Sequence, residues 1–233
     1  MQLQEIITDI ESQIEQALWD LEIHEKIIEA IDAYRQAETK LQGLEIPSDH
    51  PAYPEQQRVL SYCLMRQGNI LRQMDKAEEA LALGEREIAA ARASGDSLML
   101  ARSLMSNGTN FIITGNLSKG SELLEKARGI FEVDTGYDYQ QGLGWYWILQ
   151  ADLANVGLIE RNAIEVIEMA NCALDILKPI ENWPGVARAY AARALANRQL
   201  GNEAEAERDH ADQEYYESQV KQDEDSASSH RQH

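Results

Sequence analysis

The stretch LMSNGTNFIITGNLSKGSELLEKA, residues 104–127, decides the fold. Its apolar residues recur every three or four positions, first from Leu104 to Phe111 and then again through Leu124 and Ala127. This spacing is typical of amphipathic helices. Gly115 separates the two apolar runs, and a glycine at the end of a helix readily takes the left-handed conformation that terminates it. The stretch therefore predicts two helices joined by a short turn.

The same pattern occurs four times along the chain. Its turns fall at Asp75, Gly115, Gly157 and Gly201, so that successive turns are 40, 42 and 44 residues apart. A fixed period in this range indicates stacked supersecondary units, because one helix pair cannot bury its apolar face alone. Small residues stand at one place in three of the second helices, where they allow the two helices of a pair to pack closely: Ala80, Gly120 and Ala206.

The recurrence also sets the boundaries of the predicted elements. The four regular pairs cover 56–217, at 56–93, 97–133, 139–178 and 184–217, and a diverged capping pair with its turn at Glu25 precedes them in 1–44. This gives ten helices in five pairs and a single domain over 1–217. The polar residues 218–233 lack apolar periodicity, and we expect them to form a disordered tail.

These repeats resemble the tetratricopeptide repeat (TPR) family. The family pattern W-x2-L-G-x2-Y is similar to Leu104-x2-Asn107-Gly108-x2-Phe111, and Ala30-x3-Tyr34 in the first pair fits the later A-x3-F element. The first consensus position lacks Trp, and the period exceeds the usual ~34 residues. Longer periods are similar to those of some bacterial regulators and of kinesin light chains. The resemblance implies an all-α, right-handed α-solenoid whose first helices line a concave groove.

Composition excludes several classes of protein. The net charge of −19 argues against binding to nucleic acid or to an anionic membrane surface. No stretch is apolar enough for membrane insertion, and no signal peptide is visible. The two cysteines, Cys63 and Cys172, are far apart in sequence, which suits a reducing compartment. We therefore expect a cytoplasmic protein.

A search for chemistry finds no candidate catalytic, cofactor-binding or metal-ligating residues. His24-Glu25 begins a zinc-protease-like string, but Ile28 stands where the second histidine ligand is needed. Gly142-Leu143-Gly144 lacks the third glycine of a dinucleotide-binding motif, and we expect it to be a loop and a helix start. The many acidic residues on helices are expected to form solvated faces. We expect no enzyme and no cofactor.

The charge distribution is more informative. Windows over the first helix of each regular pair (58–73, 98–114, 143–156 and 186–200) hold seven arginines and one acid, a sum of +6 against −25 for the remainder. Arginine presents a planar fork that suits carboxylate or phosphate. The alternative is that these arginines cover apolar neighbours or pair with acids of the second helices. The predicted ligand-binding groove residues are Arg66, Asn69, Arg72, Arg102, Trp147, Arg188 and Arg198.

Two functions stay open at this point. The first is a non-catalytic scaffold or adaptor whose groove binds a protein or peptide, with an acidic or phosphorylated segment as the expected ligand. The alternative is a regulatory sensor that binds a small anionic ligand or signalling peptide and acts on a separate effector. An open groove with exposed apolar residues would favour the scaffold, and an enclosed pocket would favour the sensor. A homo-oligomer is compatible with either function.

Overall fold

The computed structural model describes residues 3–231, with the side chains of residues 3–221, and over this range the chain is helical and contains no strand. The predicted all-α fold with ten helices is confirmed. A π-helical turn, Leu18–Glu22, extends the first helix. The helices are α1 (Leu3–Ala17), α2 (Ile27–Gly43), α3 (Tyr53–Gln73), α4 (Ala77–Ser94), α5 (Ser97–Ile113), α6 (Leu117–Phe131), α7 (Tyr137–Asn155), α8 (Ala163–Leu177), α9 (Trp183–Gln199) and α10 (Glu203–Arg231).

The chain forms two compact units. Unit 1 comprises residues 1–130, with α1 to α5 and nearly all of α6, and unit 2 comprises residues 131–233, with the remaining helices. The core of unit 1 includes Ile14, Tyr34 and Val59. Leu177, Val186 and Tyr190 belong to the core of unit 2. The single domain over 1–217 stays a prediction.

All five helix pairs turn in the same way. The turn residues Glu25, Asp75, Gly115, Gly157 and Gly201 have φ angles between 59° and 90°, within the left-handed region. In each pair the next residue donates a backbone hydrogen bond five residues back, as Asn116 N does to Phe111 O at 2.7 Å. This is the Schellman motif, which satisfies the last carbonyl groups of a helix. Glu25 and Asp75 adopt it without the conformational freedom of glycine, at a cost of roughly 1–2 kcal/mol each.

Glycines mark the closest approaches between helices. A Cβ atom on Gly120 of α6 would lie 2.7 Å from the carbonyl oxygen of Gly108 on α5, which confirms the predicted close packing there. In unit 2, a Cβ atom on Gly142 would overlap the ring of Phe131. Gly142 and Gly144 lie inside α7, so the expected loop at Gly142-Leu143-Gly144 is wrong.

The buried stripe of α5 follows the predicted one at Leu104 and Gly108 but ends on Ile112 instead of Phe111. Leu104, Gly108 and Ile112 are buried, whereas Phe111 is only half-buried at the edge of the stripe. Leu149 of α7 is likewise half-buried, between the buried Tyr146 and Leu153. The apolar periodicity predicts that Phe111 and Leu149 belong to the core between helices, and their partial exposure differs from that prediction. Phe131, which has no exposed surface, is the fully buried phenylalanine.

The C-terminal stretch also differs from its prediction. α10 continues as a helix to Arg231, through most of the predicted tail at 218–233; residues 232 and 233 lie outside the described residues. Serine is the commonest residue of 218–231, and the stretch contains no proline or glycine, the two residues that disfavour a helix most. Stacking of Tyr216 on Trp183, with ring centroids 5.4 Å apart, fixes the helix to unit 2 just before this point. Within residues 3–231, no helix combines the length and apolarity needed to cross a bilayer.

Candidate functional site

The first helices of the five pairs are α1 with its π-helical turn, α3, α5, α7 and α9. Their positions can be compared by counting back from the turn residue that follows each of them. We call the residues ten, six and two places before each turn residue the inner positions, because they lie on the predicted groove face. In unit 1 they are Glu15, Trp19, Ile23, Met65, Asn69, Gln73, Met105, Thr109 and Ile113. In unit 2 they are Trp147, Ala151, Asn155, Ala191, Leu195 and Gln199.

Large apolar side chains are exposed at several inner positions. In unit 1, Trp19 and Ile113 are 45% and 39% exposed, and Ile23 is exposed to a similar extent. In unit 2, Leu195 is 41% exposed. Polar side chains stand at neighbouring inner positions, among them Asn69, Thr109 and Gln199. The inner positions therefore combine exposed apolar groups with polar side chains, a composition suited to contact with another chain.

Arg66, a predicted groove residue of unit 1, is held by an acid of the same unit. Its guanidinium binds both carboxylate oxygens of Glu22, with Nε donating to Oε2 at 3.2 Å. The hydroxyl of Tyr34 donates to the same Oε2 atom at 2.7 Å. Glu22 ends the π-helical turn and is buried. The bidentate contact commits Arg66 to the packing of unit 1.

Arg58 of α3 is neutralised in a similar way. Its Nη2 atom lies 2.6 Å from an oxygen of Glu11 on α1 and 2.7 Å from an oxygen of Glu55 on its own helix. Glu11 lies on α1, so a carboxylate of the N-terminal helix neutralises part of the positive charge of residues 58–73.

Arg72 lies in a network of neutral side chains in unit 1. Its Nη1 atom donates to Asn110 Oδ1 at 2.8 Å and reaches Ser106 Oγ at 3.4 Å, and its Nη2 atom donates to Asn69. Burial lowers the pKa of Arg72. Asn69 and Arg72, both predicted groove residues, are thus brought together, with Asn110 and Ser106 as neighbours that the sequence analysis missed.

A carboxyl group is buried beneath this network. Glu87 of α4 is 1% exposed, and Ser106 donates to its Oε2 atom at 3.5 Å. Its Oε1 atom has no hydrogen-bond partner among the described residues. Burial raises the pKa of Glu87 to about 8, although Ser103 and Arg72 act in the opposite direction. The carboxyl group is therefore largely protonated at neutral pH.

The remaining predicted residues lie on α5, α7 and α9. Arg102 is half-buried on α5 of unit 1. In unit 2, Trp147 is half-buried and makes an edge contact with Tyr146, with ring centroids 5.2 Å apart. Arg188 is 57% exposed and binds Asp152 of α7 through Nε at 2.9 Å. Arg198 is exposed in the last turn of α9.

Unit 2 also contains an open cleft of about 410 Å³ between α7, α9 and α10. Its walls include Trp145 of α7, Pro184 and Arg188 of α9, and Val220 and Lys221 of α10. Val220 and Lys221 lie beyond residue 217, where the sequence analysis ended the folded domain. The helical continuation of α10 thus supplies one wall of this cleft.

The roles of several of these residues could not be predicted from the sequence. Acidic residues on helices are expected to be solvent-exposed, so the burial of Glu87 was not predicted. The π-helical turn that positions Glu22 has no recognisable sequence pattern. The lack of apolar periodicity around Lys221 predicts a tail, not a binding element.

Comparison with solved structures gives the fold class. A putative kinesin light chain from Podosopora anserina with nearly identical TPR-like repeats superimposes with a TM-score of 0.52 at 16% identity, over 92% of this chain and 97% of that chain. The fold is that of TPR-like helical repeats. BtubC (BKLC) from P. vanneervenii has a TM-score of 0.58 at 13% identity, over 95% of this chain and 93% of its own. The predicted TPR-like fold is thereby confirmed. No protein-family model and no curated protein sequence matches the chain.

Proposed function

We propose that this protein is a non-catalytic scaffold or adaptor that binds a segment of a partner protein along the inner positions of its first helices. The observation that carries the proposal is the exposure of Trp19, Ile113 and Leu195 at inner positions of three first helices. A few residues carry most of the binding energy of a protein interface, tryptophan prominent among them, and burial of exposed apolar surface adds to it. Exposed apolar residues also favour the scaffold over the sensor, which would need an enclosed pocket.

The polar inner positions complement these anchors. Asn69, Gln73 and Thr109 offer donors and acceptors next to the apolar side chains of unit 1. A bound peptide needs partners for its backbone groups, because unsatisfied polar groups at an interface cost affinity. Alternating apolar and amide contacts are therefore suited to a peptide ligand.

The finer proposal, an acidic or phosphorylated ligand, draws its support mainly from unit 2. Arg58 and Arg66 of unit 1 already bind carboxylates of their own unit. In unit 2, Arg198 is exposed and Arg188 is more than half exposed. A ligand carboxylate or phosphate would thus meet these two cations more readily than those of α3. Both cysteines are free thiols, as expected in the cytoplasmic location that we propose.

The proposal is tested by comparing variants in capture of a partner from an extract of the source cell. Ile113→Ser and Leu195→Ser should each reduce recovery of the same partner, because both remove an exposed apolar anchor. Ile164→Ser is the control, since Ile164 is even more exposed than Ile113 and Leu195 but lies on the second helix α8. Equal losses for all three variants would indicate nonspecific apolar adhesion and would contradict the proposal.

A further inference from the structure

The cleft of unit 2 has an apolar floor and two cations at its walls. Trp145, Pro184, Ala187 and Val220 provide the apolar surface, and Arg188 and Lys221 provide the charges. Its volume of about 410 Å³ is within the range of small ligand sites and can hold side chains of a bound peptide.

Both cations retain unused hydrogen-bond donors. Arg188 binds Asp152 through Nε, and its two Nη groups make no hydrogen bond to the side chains described for residues 3–221. Over the same range, the exposed ammonium of Lys221 forms no ion pair. Among the residues whose side chains are described, Glu217 is the acid that lines the cleft, and it accepts a hydrogen bond from Gln213 at 2.8 Å.

The two cations and Glu217 give the described lining a charge of +1, whereas the chain as a whole carries −19. Two cations beside an apolar floor complement a segment that carries both a carboxylate and an apolar side chain. A low-dielectric wall strengthens such a charge contact relative to open solvent.

We propose that this cleft binds an acidic segment of the partner protein, with an apolar side chain on Trp145 and carboxylates at Arg188 and Lys221. The inference rests on the proposed scaffold function and specifies the chemistry of one of its contacts. Lys221 makes the C-terminal part of α10 a binding element.

The test uses fluorescence anisotropy at low salt with a labelled peptide, Glu-Glu-Leu-Phe-Glu, and the full-length protein. We expect saturable binding that weakens with added salt and a much weaker signal for the neutral peptide Gln-Gln-Leu-Phe-Gln. Arg188→Gln and Lys221→Gln should each weaken binding about tenfold, as for the loss of a charge-assisted hydrogen bond.

Arg208→Gln is the matched control, because Arg208 is an exposed cation of the same helix α10 that does not line the cleft. It should leave the affinity unchanged. Equal binding of the two peptides, an equal loss in Arg208→Gln, or the absence of binding would overturn the inference. If the peptide fails to bind while Ile113→Ser still loses the partner, the inference fails and the scaffold proposal stands.

A chain that ends at Lys221 separates the partner from the protein's own C-terminus. Truncation after Glu217 would remove Val220 and Lys221, whereas truncation after Lys221 keeps both walls of the cleft. We expect unchanged peptide affinity in the chain that ends at Lys221. A several-fold gain would show that the chain's own C-terminal residues occupy the cleft, and would overturn its assignment to a partner.

Discussion

Arg72 in unit 1 and Arg198 in unit 2 each stand three residues before their turn residue, yet their surroundings differ. Arg72 is followed by another first helix of its unit, α5, whose Asn110 and Ser106 accept its hydrogen bonds. Arg198 lies on α9, the last first helix in the described chain, and its side chain is exposed. The same repeat position therefore holds a packing residue on α3, which is followed by the first helix α5. On α9, which no first helix follows in the described chain, it holds a surface cation.

The largest effect should come from the acid that neutralises Arg66. Glu22→Ala should lower the free energy of unfolding by about 3–5 kcal/mol, because removing one partner leaves a largely buried guanidinium unpaired. In unit 2, Asp152→Ala removes the partner of an exposed arginine and should cost less than about 1 kcal/mol. Urea denaturation of both variants provides the measurement. Similar losses in the two units would contradict the contrast between them.

A smaller difference is expected for the equivalent arginines themselves. Arg72→Gln should cost about 1–3 kcal/mol, because Asn110 Oδ1 loses its donor in a buried site. Arg198→Gln should change stability by less than about 0.5 kcal/mol, as is usual for surface substitutions. Denaturation midpoints with unchanged slopes would give both values. If Arg198→Gln were less stable than Arg72→Gln, the contrast between a packed Arg72 and an exposed Arg198 would be contradicted.

The pH dependence of unit 1 should reflect Glu87. Burial raises the pKa of Glu87 to about 8, whereas the carboxyl of an unfolded chain titrates near ~4.3. Between these values the folded state binds more protons, so this group's contribution to stability is present at low pH and is lost as pH rises towards 8. Glu87→Gln should therefore be more stable than the parent protein at pH 8 and should gain less at pH 5.

Glu78→Gln, an exposed change on the same helix α4, is the control for that series and should leave the pH profile unchanged. Parallel pH profiles for the parent and Glu87→Gln, measured by urea denaturation, would show that Glu87 titrates normally.

The sequence predicted the features that depend on local pattern. The five turns were correct because each depends on one residue that can adopt a left-handed φ and on the helix just before it. The period could likewise be read from residues such as Gly115 and Gly157. The burial of Phe111 differs from its prediction because a shift of one residue within an apolar stripe changes which side chain is enclosed.

The candidate site depends on contacts between residues far apart in the chain, which periodicity does not encode. Arg66 meets Glu22 across 44 residues, and Arg72 meets Asn110 across 38. The first helices do carry a basic excess, but pairing with such distant partners decides which arginines are left for a ligand. Lys221 was missed because a polar sequence can continue a helix that is already fixed by Tyr216.

The most direct test of the account is site-specific photo-crosslinking in the source cell. A photoreactive residue is placed at Gln73 and at Gln199, two exposed inner positions, and at Glu122 and Glu168, two exposed positions on the second helices α6 and α8. The account predicts one common partner crosslinked from Gln73 and Gln199 and little or none from Glu122 and Glu168. A partner crosslinked chiefly from the second helices would contradict binding along the inner positions.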